Sequence, residues 1–600
     1  MLDENTIPAV FQNRTGKLGE KACVGYKAND GKYHDISWND MNTMVKNLGL
    51  FLISKGIKMG DKVALFSPNR YEWWVADLAI LSIGGVNVPI YATDSAVEAR
   101  YIISNSDSRL CFVASQEHLE KVLEVKDQLK DLKEIVIFDP LEKKVPGVTT
   151  VMEAIDEGKR YKKQKEFDRR LNALRPSDLA TIIYTSGTTD DPKGVMLTHD
   201  NFVQNVRQCH SVSPEIFKQD HIFLSFLPLA HSFERTGGYY LPVWTGNKVV
   251  FSEGFDALQE NLQEVRPTFL ISVPRLYEKI HAGILAKVAQ APPVKKALFN
   301  WAMGIARKNL PYICNDKQRT GFFAFQYNLA DRLIFSKLRK ALGMDRMKYA
   351  ISGAAPLSVS DAEFFLGMDI KIIEAYGLTE TTPGATANKP EHIKPGTVGP
   401  PMVDTTVKIG ERGEVLIKGP QVMKGYYKNE KATKEVFTAD GFFRTGDIGE
   451  IDKKGYLRIT GRLKELIITA GGKNISPQNI ENSLKDSAFI EQAAVIGDNR
   501  KYLSALIVPA FEELENWARE NNVPFGNRTE LVSNNEVVQL YEHEINLHTK
   551  NFAQVEHIRK FTLMDREWSQ ENEELTPTLK VKRRVINRKY ADKIETMYPA

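Results

Sequence analysis

The stretch from Asp61 to Tyr91 constrains the fold most. It reads DKVALFSPN, then YEWWVADLAILSIGG, then VNVPIY: a short apolar run, an amphipathic segment closing on paired glycines, and a second β-rich run. That order predicts a βαβ unit, whose parallel strands need both faces of their sheet covered. The pattern recurs. RLCFVAS and EIVIFD flank the charged helical stretch HLEKVLEVKDQLKDL, and TFLISV leads into PRLYEKIHAGILAKV. The expected fold class is therefore α/β, with packed sheets and no internal repeat.

At 600 residues the chain exceeds what one ordinary core organises. Residues 286–342 read as mostly helical, in the pieces ALFNWAMGIARK and NLADRLIFSKLRKALG, with a looser segment between Pro311 and Thr320. They are expected to be a helical insertion on the α/β body. The alternating VKIGERGEVLIKG predicts a hairpin in a small β unit. Past Gly461 the chain restarts as a short α/β module through AAVIGDN and KYLSALIVPAF. The expected organisation is a large N-terminal domain, 1–461, and a small mobile C-terminal domain, 462–600.

Charge and cysteine usage narrow the partners. Eighty Lys and Arg against 76 Asp and Glu leave +4, too little over this length to argue for nucleic acid. The four cysteines lie about a hundred residues apart and form no metal spacing, which favours a reducing compartment. The opening MLDENTIPAVFQNR lacks the apolar core of a signal peptide. The most apolar stretch, Trp73 to Ala92, is interrupted by Asp77, Gly84, Gly85, Asn87 and Pro89, so it fails as a membrane helix. A cytoplasmic protein is expected. Peripheral membrane contact stays open, though no amphipathic anchor is evident, and the sequence is silent on oligomeric state.

Tyr184 to His199, YTSGTTDDPKGVMLTH, is the stretch richest in chemistry. It follows the buried run ATIIY and precedes another β-rich run. A loop this dense in Thr, Ser and Gly lets backbone N–H groups and hydroxyls approach phosphate oxygens, and Lys193 adds a cation. It is not a P-loop, which after Gly187 requires Gly at 192 and Ser or Thr at 194; the chain has Pro192 and Gly194.

Together with SGAAPL (352–357), EAYGLTETT (374–382), RTGDIGEID (444–452), GRLKELIITAGGKNISPQNIE (461–481) and LTPTLKVKRR (575–584), this loop resembles the ordered signatures of the adenylate-forming superfamily. That superfamily includes acyl-CoA synthetases, luciferases and peptide-synthetase adenylation domains. LPLAHSFER (227–235), VPRLYEK (273–279), the helical insertion and LTPTLK resemble long-chain acyl-CoA synthetases, a pattern shared with very-long-chain and bubblegum-type enzymes.

The resemblance implies roles residue by residue. Thr185, Ser186, Gly187, Thr188 and Thr189 would hold the ATP phosphates with Lys193 as counter-charge. Glu380, with Thr185 on the phosphate side, would hold Mg2+, a hard cation suited to carboxylate and phosphate oxygens. Thr379 would sit on the α-phosphate side. Tyr376 and Gly377 would lie against adenine, with Gly353 and Ala354 as the other wall. Asp447 and Arg462 would take the ribose. His231 would flank the acyl pocket, or equally be a satisfied core histidine. Lys580 would be the catalytic lysine, with Lys582 as the alternative register, because Leu579 stands where many relatives have Gly. Lys464 would be the hinge, and Gly471, Gly472 and Lys473 would approach the pantetheine arm of CoA.

Asp190 departs from the Gly usual in this loop and adds a negative charge near a triphosphate, to be met by Mg2+ or Lys193 or else to weaken ATP binding. The implied reaction has two steps: a fatty acid and ATP give an acyl-adenylate, and CoA then takes the acyl group, with the small domain rotating between them. The competing readings are a ligase serving a carrier protein, an inactive binding protein and a luciferase-type oxygenase.

Overall fold

The computed structural model describes residues 3–185, 192–218, 220–470, 473–576 and 581–598. The βαβ unit forms as its alternation predicts: strands Lys62–Phe66 and Val86–Ile90 run parallel, with Ala64 opposite Val88, and helix Tyr71–Ser82 crosses between them. They are the centre of an eight-stranded sheet. On one side lie Ser108–Val113, Glu134–Ile137 and Val148–Thr150, all parallel. On the other lie Leu179–Thr185, then antiparallel Lys193–Thr198 and Gly425–Tyr426.

A second eight-stranded sheet is also parallel through its middle. Its order is Gly384–Ala387, Ile372–Gly377, Tyr349–Ser352, Phe269–Ser272, Ile222–Ser225, Lys248–Phe251, Ala22–Lys27 and Tyr33–Ser37. Only its outermost pairings, at each edge, are antiparallel. Helix Tyr71–Ser82 is buried on almost every side, and Trp74 stacks on Tyr239 at 4.0 Å between ring centroids.

The polar interruptions of the apolar stretch have a structural reason. Asp77 accepts from Asn87 Nδ2 (2.6 Å), from Tyr240 Oη (2.8 Å) and from the Arg235 guanidinium, and Arg235 also donates to Thr181 Oγ1 (2.8 Å). All are buried. A buried charge pair persists only when its remaining hydrogen-bonding capacity is met, and here one sheet, through Asn87 and Thr181, and the helical segment Glu234–Tyr240, through Tyr240, supply the partners.

The hairpin forms from Thr406–Ile409 and Glu414–Lys418, which join Phe443–Ile451 and Leu457–Arg462 in a four-stranded antiparallel sheet. A separate core begins at Ile467 and runs to Met597, built on strands Ile490–Ile496, Leu503–Pro509 and Ile558–Leu563. Between Pro274 and Ala341 the chain is helical apart from short breaks. The looser segment starts at Cys314 rather than Pro311. Pro311 lies inside the last turn of helix Pro293–Ile313, where its missing N–H costs the helix one i→i−4 hydrogen bond. All four cysteines are free, and no helix is long and apolar enough to cross a membrane among the described residues.

Candidate active site

Parallel strands deliver their following loops to one edge of a sheet, the usual place for a ligand in such folds. Strand Tyr349–Ser352 ends at Gly353-Ala354, and its neighbour Ile372–Gly377 ends at the turn Leu378–Thr382. Gly353 must be glycine, because a Cβ there would lie 2.9 Å from the Phe233 ring, and Ala354 takes φ +68°. Gly377 is equally fixed: a Cβ would fall 1.5 Å from the Pro383 carbonyl oxygen. Thr381 holds the turn by accepting from the Leu378 N–H (2.9 Å).

Buried Asp447 and exposed Arg462 are cross-strand partners in the four-stranded sheet, and Arg462 Nε donates to Asp447 Oδ1 at 2.7 Å. The second oxygen, Oδ2, accepts from Tyr376 Oη at 2.6 Å. Burial, followed by the neighbouring Asp447 carboxylate, pushes the Tyr376 phenol well above its usual range, so it stays a donor. The carboxylate raises Arg462 in turn. Tyr376, Asp447 and Arg462, brought together from three signatures, form one hydrogen-bonded unit.

Beside it, half-buried Glu380 accepts from Tyr426 Oη at 2.8 Å. Desolvation raises the Glu380 carboxyl, while Tyr426 and the Arg462 charge pull it down. Tyr426 belongs to the two-residue strand paired with Lys193–Thr198, and the Lys193 ammonium lies 5.2 Å from its ring centroid. Tyr426 therefore connects the phosphate-loop flank on one sheet to Glu380 on the other. Sequence reasoning missed it. Its signal was the doubled aromatic in KGYYKN, between two recognised signatures.

Thr185 lies opposite Lys193 in the antiparallel pair that brackets the loop. Ser186, Gly187, Thr188, Thr189 and Asp190 lie outside the described residues, as do Gly471, Gly472 and Lys580. Buried Thr379 accepts from Ser232 Oγ at 3.3 Å, and Thr236 Oγ1 donates to the Thr382 carbonyl at 2.7 Å. The segment that carries buried Arg235 thus also braces the Glu380 turn. His231, half-buried, accepts the Phe233 N–H on Nδ1 at 3.1 Å, which puts the proton of its neutral form on Nε2.

Lys464 follows Arg462 in the turn between the two cores, where the Leu463 N–H bonds the Gly446 carbonyl at 2.8 Å. Lys473 is exposed, and its N–H bonds Thr469 Oγ1 at 3.2 Å. Lys582 is half-buried before helix Arg583–Lys589, close enough to Asp94 to favour that carboxylate's charged form. Burial still pushes Asp94 up to about 7. Polar contacts join the parts across this divide: Arg275 with Glu491, Lys485 with Glu278 (3.2 Å), and Ser360 with Asp486 (3.0 Å).

No group of three or more His, Cys, Asp or Glu converges among the described residues. A cation here would rest on Glu380 and on oxygens brought by a substrate, a donor set that suits Mg2+.

The model of the AMP-binding enzyme family matches residues 11–427, and that of the AMP-binding enzyme C-terminal domain matches residues 464–600. The chain is 35% identical over 574 residues to a long-chain-fatty-acid–CoA ligase, FadD15, of Mycobacterium bovis, covering 95% of this chain and 93% of that one. It is 32% identical over 625 residues to the long-chain-fatty-acid–CoA ligase ACSBG2 of Xenopus laevis, covering 99% and 84%. The adenylation domain of a carboxylate reductase from Mycobacterium chelonae shares the fold at a TM-score of 0.78 and 20% identity, covering 98% of this chain and 91% of that domain.

Proposed function

The chain belongs to the AMP-binding enzyme family, and on that premise we propose that it is an AMP-forming long-chain fatty acid–CoA ligase. The observation that carries the reading is the joined unit of Tyr376, Asp447 and Arg462 beside Glu380, at the strand ends that also hold Lys193 and Gly353. The acyl class rests on relatives that align along nearly the whole chain.

A carboxylate resists attack by a thiol because oxide is a poor leaving group. Adenylation removes that obstacle: the fatty-acid oxygen attacks the α-phosphorus of ATP in line and expels pyrophosphate. Positioning and charge neutralisation supply most of the acceleration in such a transfer. Thr185 to Thr189 and Lys193 bind the β- and γ-phosphates. Glu380 would hold Mg2+, which when bound would neutralise phosphate charge. Tyr376 and Gly377, opposite Gly353 and Ala354, enclose adenine; Asp447 accepts the ribose hydroxyls and Arg462 fixes Asp447. Thr379 lies on the α-phosphate side, and His231 lines the acyl entrance.

Lys580 offsets charge between the acyl carboxylate and the α-phosphate. CoA thiolate then attacks the acyl carbon and AMP departs. We take 1–461 and 462–600 as the two domains, hinged at Lys464, with Gly471, Gly472 and Lys473 swinging in beside the pantetheine. The contacts from Arg275, Lys485 and Ser360 must then exchange in each cycle. The protein would work in the cytoplasm. Fatty-acid-dependent ATP–pyrophosphate exchange tests the reading; no exchange with any fatty acid overturns it.

A further inference from the structure

One of the helices between Pro293 and Ala341 exposes a large apolar face. Helix Gly321–Ala330 is apolar on both sides, and only one side is covered. Inward, Phe323 stacks on Tyr312 at 4.9 Å, and buried Tyr327 packs 5.7 Å from Phe335 with the Arg319 guanidinium 3.8 Å above its ring. Outward, Phe322, Phe325 and Leu329 recur at helical spacing and are 74%, 64% and 40% exposed. No other Phe or Trp among the described residues is as exposed.

Charge singles out the same segment. Residues 286–342 carry eleven Lys and Arg against two Asp, net +9, whereas the whole chain carries +4, so the rest is net −5. Both aspartates are already engaged, Asp316 by Lys371 and Asp331 by Arg339. Lys295, Lys308, Lys317, Arg332, Lys337 and Lys340 are exposed and make no ion pair among the described residues.

We propose that this face docks the protein on an anionic lipid bilayer, with the Phe322 and Phe325 rings at the boundary of headgroups and acyl chains and the cations against lipid phosphates. Aromatic and leucine side chains beside a polybasic face are the chemistry of interfacial helices, and each cation near an anionic surface adds attraction. A second copy of the chain fits the face poorly, because a two-fold contact would set one net +9 segment against another. The proposal rests on the fatty acid ligase reading only for its purpose, since a fatty acid partitions into the bilayer on which the enzyme would sit.

The test is co-sedimentation of the full chain with phosphatidylcholine vesicles, with and without about 30 mol % phosphatidylglycerol. Binding to the anionic vesicles alone is expected. Phe322→Ser/Phe325→Ser and, separately, Lys337→Glu/Lys340→Glu should each lower the bound fraction about tenfold, with AMP release from detergent-dispersed fatty acid unchanged. Equal binding to both vesicle types, no binding, or variants that bind like the parent would overturn it. So would a dimer that the Phe variant converts to monomer with vesicle binding unaltered. Vesicle binding is read without turnover, so failed docking and failed fatty-acid activation are separate results.

Discussion

The Tyr426 hydroxyl donates a 2.8 Å hydrogen bond to Glu380, across 46 residues of sequence and from one eight-stranded sheet to the other. The bond favours the charged form of the carboxylate positioned for a cation. Burial favours protonated Glu380, and Tyr426 opposes it. Tyr426→Phe removes one of the influences that oppose burial and leaves Arg462 in place, so Glu380 should take up its proton at higher pH. The acid limb of kcat/KM for Mg·ATP should move upward by about one pH unit, with a greater loss at pH 6 than at pH 8. An unmoved limb in a pyrophosphate-exchange pH profile contradicts this.

Asp447→Asn leaves Tyr376 and Arg462 facing an amide that accepts through one oxygen only. The ribose acceptor is lost and Arg462 loses its charge partner. KM for ATP should rise about tenfold or more, with a smaller fall in kcat. An unchanged KM in steady-state kinetics removes Asp447 from the nucleotide site.

Lys580 and Lys464 should separate the half-reactions. Lys580→Ala should abolish adenylation but leave transfer from supplied acyl-adenylate to CoA largely intact. Lys464→Pro should do the reverse, because a fixed φ prevents the hinge from rotating. Equal losses in both half-reactions, measured separately, would contradict the division.

Glu234 offers a test through stability. It is buried, donors reach it only from Ser225 Oγ among the described residues, and desolvation pushes its carboxyl up to about 8. Unfolded, it ionises near about 4.3. The folded state therefore binds the extra proton between those values, and stability falls as pH rises through that window. Glu234→Gln cannot ionise, so its melting temperature relative to the parent should be higher at pH 8.5 than at pH 5, by on the order of 2 °C. The same difference at both pH values contradicts the assignment.

The architecture was legible where apolar runs alternate with amphipathic ones. Val63, Leu65 and Val88 are buried in a parallel pair as their neighbours in sequence imply. The glycines at 353 and 377 were legible as parts of signatures, and the structure adds the contacts that exclude a Cβ. Tyr426 was not legible, because its partner Glu380 is remote in sequence and its strand has only two residues. Asp77 and Asn87 read as breaks in an apolar stretch, since nothing local shows that Arg235 and Asn87 both meet Asp77. The exposed face at Phe322 was hidden for a different reason: apolar residues occupy both sides of that helix, and only packing decides which side Tyr312 covers.

The central claim is tested most directly by AMP release with Mg·ATP and saturated fatty acids from four to twenty-two carbons, with and without CoA. Release that depends on CoA and peaks at long chains is the predicted result. Adenylate formed without any CoA-dependent thioester, or no AMP with any acid, would contradict it.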